Sequence, residues 1–178
     1  PARHLRVRGT GDARAPFFTD QDEQKLLCEL SQMSNPNHLR LTKLALTTGF
    51  RRSELLSLTW RNINLEKNKI YVQRKACAAR GSSFSMRIVP LPKKAKDLLK
   101  SFKNKEGKII NLTKGSARNG FDRAKKKADL NNLRFHDLRH IALSRMWSYG
   151  MNALEISACS GHKDIRMLMR YSHYSLIL

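Results

Sequence analysis

The chain has 178 residues, 40% of them hydrophobic, enough for one domain with a sizeable core. It carries 35 Lys and Arg against 14 Asp and Glu, a formal net charge of +21, and that excess points to a polyanionic partner, because each cation set against a phosphate releases condensed counterions. The sequence shows no long apolar run, no signal peptide and no long amphipathic stretch with an aromatic face, so no membrane role is expected.

In chain order, residues 1–18 are rich in Arg, Gly and Ala and read as a linker or arm. "TDQDEQKLLCEL" starts a helix, with Thr19 or Asp20 as N-cap, Glu23 placed for a capping box, and Leu26, Leu27 and Leu30 as its apolar face. "LRLTKLALTTG" is a second helix stopped by Gly49, and "FRRSELLSL" a third with Leu55 and Leu58 inward. "KIYVQRKA" and "SMRIVPL" have strand composition, separated by a turn around Gly81, and predict a two- or three-stranded sheet embedded in helices. Pro92 opens a helix to about Phe102, and a very basic helix covers residues 115–129. "HDLRHIALSRMWSYG" closes at Gly150, "NALEISACSG" closes at Gly161, and "DIRMLMRYSHY" is the last helix. The predicted fold is mainly α with a small antiparallel β-sheet, an α+β class. Cys28, Cys77 and Cys159 lack zinc-ligand spacing and read as reduced thiols of an intracellular protein.

Three stretches carry candidate chemistry. "TTGFRRSEL" sets Arg51 directly after a glycine-bearing turn, with Glu54 one turn on and able to pair with a cation; alone it is a weak signal, an exposed arginine at a helix start being more often structural. "HDLRH" puts His136, Arg139 and His140 at i, i+3 and i+4, near one helical face. A forked guanidinium beside an imidazole suits a single phosphate group, the Arg binding two oxygens and the His moving a proton. A polar helix face with a capping His fits the same residues. A metal is not expected, since no Glu stands next to His136 as a metalloprotease helix requires. "SGHKDIRMLMRY" supplies His162 after a helix stop and Tyr171 at the far end, with Met167, Leu168 and Met169 as an apolar side and Lys163, Arg166 and Arg170 as a basic one. A phenol with an ordinary pKa of about 10 needs a polarised electrophile to attack. Arginines, histidines and a tyrosine together suit attack on a phosphodiester, the arginines neutralising charge on the non-bridging oxygens in place of a metal.

Over residues 19–174 the sequence resembles the catalytic domain of the tyrosine recombinases, the phage integrase family. "TGFRRSELLSLTW" is similar to the family's first-arginine segment, "HDLRH" to its His-x-x-Arg segment, and "SGHKDIRMLMRYSH" to its Gly-His…Tyr segment. The resemblance implies that Arg51 and Arg139 hold the scissile phosphate and that His136 assists proton transfer. It further implies that His162 hydrogen-bonds a non-bridging oxygen and that Tyr171, rather than Tyr174, is the nucleophile. The family's general-acid lysine stands on the hairpin before a "VPL"-like strand, which here is Lys75 ahead of "RIVPL"; Arg80 lies nearer in offset, but a guanidinium is a poor proton donor.

The implied activity is site-specific DNA recombination through a covalent 3′-phosphotyrosyl intermediate, with neither metal nor ATP and no cofactor. The implied partner is double-stranded DNA, with self-association on it as a tetrameric synapse in the full-length protein. The implied setting is the bacterial cytoplasm and nucleoid, encoded by a phage or other mobile element. Residues 19–178 would be the catalytic domain, the family's amino-terminal clamping domain being absent from this chain. Two other readings share these residues: a type IB topoisomerase-like relaxing enzyme, and a non-catalytic DNA-binding module of the same fold.

Overall fold

The computed structural model describes residues 5–6, 17–73, 86–103, 105–162 and 164–169. Lys75, Cys77, Arg80, Lys163, Arg170, Tyr171 and Tyr174 lie outside the described residues.

A short antiparallel pair, β1 (Leu5–Arg6) with β2 (Phe17–Phe18), leads into α1 (Asp20–Ser31). Phe18 is already buried in the core, so the stretch read as a linker ends inside the domain. Thr19 is the N-cap of α1, as its sequence suggests, but the capping box closes on Asp22 rather than Glu23. The Thr19 hydroxyl accepts from the Asp22 amide at 3.1 Å while Asp22 Oδ2 accepts from the Thr19 amide at 2.9 Å. Asp22 occupies the N3 position, and Glu23 points away to pair with Arg145.

Two helices form the centre. The first, α2 (Asn37–Thr48), buries Leu41, Leu44, Ala45 and Leu46 and packs against α1, α3, α5 and α6. The second, α6 (Asp137–Ser148), buries Leu138, Ile141, Ala142, Leu143, Met146 and Trp147. A helix apolar on nearly every side has to sit inside. The others surround this pair: α3 (Arg52–Ser57), α4 (Lys93–Lys100), α5 (Lys114–Lys127), α7 (Ala153–Ser160) and α8 (Arg166–Met169).

The sheet has three strands in the order β3-β4-β5, with β3 at Ile63–Asn64, β4 at Lys69–Gln73 and β5 at Met86–Pro90. Ile70 pairs with Val89 and Val72 with Arg87 across the antiparallel ladder. Strand alternation then sends Ile70, Val72, Arg87 and Val89 to the core and leaves Met86 and Ile88 outside. One inward position is therefore a cation. The architecture, mostly helical with a small antiparallel sheet, is the predicted one. One detail differs at α8, where Leu168 is fully buried and Met167 is 46% exposed, so Leu168 docks the segment and Met167 does not.

Candidate active site

Three helix boundaries meet at one place. Gly49 closes α2 in the left-handed region (φ +65°), and a Cβ there would lie 3.3 Å from Leu143 on α6, so a glycine meets both the turn and the close approach. The next two residues diverge. Phe50 is buried, and Arg51 becomes the N-cap of α3 with its side chain 45% exposed. His136 sits at the N-cap of α6, one turn ahead of Arg139. Gly161 closes α7 with φ +72° and hands the chain to His162.

Arg139 joins these boundaries. Its guanidinium is buried and donates from Nη1 to the Gly49 carbonyl at 2.7 Å and from Nη2 to the Ser160 carbonyl at 2.8 Å. Those are the carbonyls that two helix C-termini leave without helical partners, and a cation is favoured there. The same Nη2 lies 3.3 Å from His162 Nε2 and 3.4 Å from Nδ1. Ser160 Oγ is 2.7 Å from His162 Nδ1, and the Ser157 hydroxyl donates to the His162 carbonyl at 2.8 Å. His162 is thus fixed at ring and backbone. Sequence reasoning missed Ser160 and Ser157; the signal was their place in the last turn before a left-handed glycine.

Arg139 and His136 line an open cleft of about 230 Å³ together with Phe50, Arg52 and Phe135. The His136 ring is edge-on to His140, with centroids 5.0 Å apart. Partial desolvation in the cleft, then the charge of Arg139, then that of Arg51 lower the His136 pKa below its ordinary value, while Asp137 opposes them. At neutral pH the imidazole is therefore uncharged and able to accept a proton.

Arg51 is held differently. Its amide donates to Glu54 Oε2 at 2.9 Å and its Nη1 to Glu54 Oε1 at 3.3 Å. Glu54 also receives Arg87 from β5, Nη1 to Oε1 at 2.8 Å and Nη2 to Oε2 at 3.1 Å. Burial raises the Glu54 pKa, but the Arg87 hydrogen bonds, the Arg51 amide and both guanidinium charges outweigh it, so the carboxylate is held ionised. Arg87 was not foreseen from the sequence.

Of the residues proposed from the sequence, Arg51, His136, Arg139 and His162 converge, whereas Lys75 and Tyr171 lie outside the described residues. Among the described residues no three of His, Cys, Asp and Glu are grouped as metal ligands would be. One fixed cation, Arg139, one restrained and half-exposed cation, Arg51, a neutral imidazole and a second pinned imidazole at these helix boundaries can bind one phosphate and move a proton at it.

A family model described as the phage integrase family matches residues 16–176. The chain is 36% identical over 178 residues to the shufflon-specific DNA recombinase of Escherichia coli, covering 97% of this chain and 44% of that protein. Against the integrase of Escherichia phage 186 it is 29% identical over 176 residues, covering 98% and 49%. Among solved structures, the catalytic domain of bacteriophage HP1 integrase matches with a TM-score of 0.69 at 28% identity, over 88% of this chain and 86% of that one. The Tn1549 transposon integrase in complex with circular intermediate DNA shares the fold, with a TM-score of 0.67 at 20% identity over 90% and 63%. The chain spans about half the length of the curated relatives it matches.

Proposed function

The chain belongs to the phage integrase family of tyrosine recombinases, and from that membership we propose that it is the catalytic part of a site-specific DNA recombinase. Arg51 and Arg139 bind the non-bridging oxygens of the scissile phosphate, and His162 donates a hydrogen bond to one of them. Tyr171 Oη attacks phosphorus as His136 takes its proton. The bond from phosphorus to the 5′-oxygen breaks, and Lys75 protonates the leaving oxygen. The product is a 3′-phosphotyrosyl bond with a free 5′-hydroxyl, and attack by another strand's 5′-hydroxyl reverses the steps. The phosphodiester is exchanged rather than hydrolysed, so ATP has no role, and fixed guanidiniums supply the charge stabilisation a metal would otherwise give.

The observation that carries this reading is the Arg139 guanidinium joining the Arg51, His136 and His162 segments at one cleft. The net charge of +21 and the exposed cations of α5, including Arg118, Arg123 and Lys126, suit double-stranded DNA as the partner. On the strength of the same family membership the proposal includes self-association on DNA, a cytoplasmic setting and a phage or mobile-element origin. Among the described residues no helix is long and apolar enough to cross a membrane.

The test is a pool of nicked duplexes of randomised sequence, in which loss of the short strand beyond the nick traps the intermediate. The chain should form a protein–DNA adduct that survives denaturation, and Tyr171→Phe should abolish it while sparing most binding. An adduct that persists in Tyr171→Phe removes Tyr171 as nucleophile, and no adduct with the unaltered chain removes the reading. Sequencing the trapped DNA gives the preferred site. Relaxation of plasmids without site preference would instead favour the topoisomerase-like reading.

A further inference from the structure

Arg87 is the least expected charge in the molecule. It occupies a core-facing position of β5, its side chain is only 5% exposed, and it sits over the Phe50 ring with its guanidinium carbon 5.3 Å from the centroid. Two proposed phosphate-binding segments touch it. On one side it grips Glu54 with both Nη atoms, and Glu54 in turn holds Arg51. On the other side a Cβ at Gly161 would lie 2.9 Å from Arg87 Nη1, so the turn that presents His162 rests against the guanidinium.

The distances show how the Glu54 charge is divided. Oε1 is shared, 2.8 Å from Arg87 Nη1 and 3.3 Å from Arg51 Nη1, and of the two arginines it is Arg87 that contacts both carboxylate oxygens through its side chain. A parallel two-bond arginine–carboxylate pair is the stronger of the two and the less exposed. A single long bond from a half-exposed side chain is easily exchanged for a phosphate oxygen.

We infer that Arg87 is a positioning residue for strand cleavage: by occupying the Glu54 carboxylate it leaves the Arg51 guanidinium available to DNA, while its other face sets the Gly161–His162 turn. This rests on the reading of Arg51 as a phosphate ligand. Without Arg87 the partly buried Glu54 carboxylate has, among the described residues, one cation left, Arg51, and turns from a light restraint on it into a competitor of the phosphate. A lysine at position 87 keeps a charge but not the planar fork, so it restores little.

Adduct formation on the trapped nicked duplex is measured at saturating DNA, well below each variant's melting temperature. Arg87→Met should lower the rate constant about 100-fold, the scale set by small misplacement of a reacting group, with a much smaller change in the DNA Kd. Adding Glu54→Gln should recover a large part of that rate by removing the competitor. In an Arg51→Ala background Arg87→Met should cost at most about a few-fold more, the share owed to the His162 turn. A full multiplicative loss in that background, or no recovery with Glu54→Gln, overturns the inference and leaves Arg87 as a structural residue. An Arg87→Met chain that cleaves at the normal rate overturns it as well. Failure of the unaltered chain to form any adduct is a different result, because it overturns the reading of the whole site.

Discussion

Arg51 and Arg139, the two arginines proposed to hold one phosphate, are built in opposite ways. Arg139 is buried and spends its hydrogen bonds on the backbone of two helix ends, so its position is part of the fold. Arg51 is half exposed at a helix start, tied to a carboxylate that is itself mostly engaged elsewhere. One cation is a fixed point and the other is restrained but exchangeable. On the proposed reading, a site that binds, cleaves and releases a long polyanion gains from that division, since fixed groups stabilise charge without reorganising and exchangeable ones let the product leave.

The contrast breaks most completely at Arg139. Arg139→Ala should abolish adduct formation and also destabilise the domain by about 3 kcal/mol, because the Gly49 and Ser160 carbonyls lose their buried donor; thermal melting beside the adduct assay shows both. Arg51→Ala should slow adduct formation by about 100- to 1,000-fold while moving stability by no more than about 0.5 kcal/mol, as an exposed pair does. Equal stability losses in the two variants would erase the distinction.

Gly161→Ala tests the turn between Arg139 and Arg87. A left-handed φ with an added Cβ costs about 1–2 kcal/mol, and the crowding against Arg87 should displace His162, slowing cleavage more than it weakens DNA binding. The smallest effect concerns pH. Because the folded-state pKa of His136 is lowered, the unfolded chain takes up its proton first; this residue's contribution to stability is present above the ordinary value of 6.5 and declines as pH falls through it. The acid limb of the cleavage rate should accordingly lie below pH 6.5, and Arg51→Met should move it part of the way back by removing one of the depressing charges. A limb at or above 6.5 in the unaltered chain would show that His136 does not accept the proton.

The sequence disclosed what is local. Gly49 and Gly161 announce helix ends, and the spacing of His136 and Arg139 announces a shared face; each is readable within a few residues. Leu26, Leu30 and Leu55 likewise declare their burial through helical period. What stayed hidden depends on partners far along the chain. Glu54 meets Arg87 across 33 residues, and Glu23 leaves its own cap for Arg145 across 122. Arg87 did carry one signal: with Val89 inward in "MRIVP", strand alternation turns Arg87 inward too. The exposure of Met167 beside a buried Leu168 is a matter of how a four-residue helix meets α7, which composition does not encode.

The bonds of Arg139 span 90 residues to Gly49 and 21 to Ser160. No stretch of the polypeptide emerging from the ribosome therefore holds a working fraction of the cleft, and opening α7 alone dismantles it by removing Ser160 and His162 together. If the proposed strand cleavage is the chain's activity, it is in this way silent until α7 is seated against α6, and silent again whenever α7 lifts.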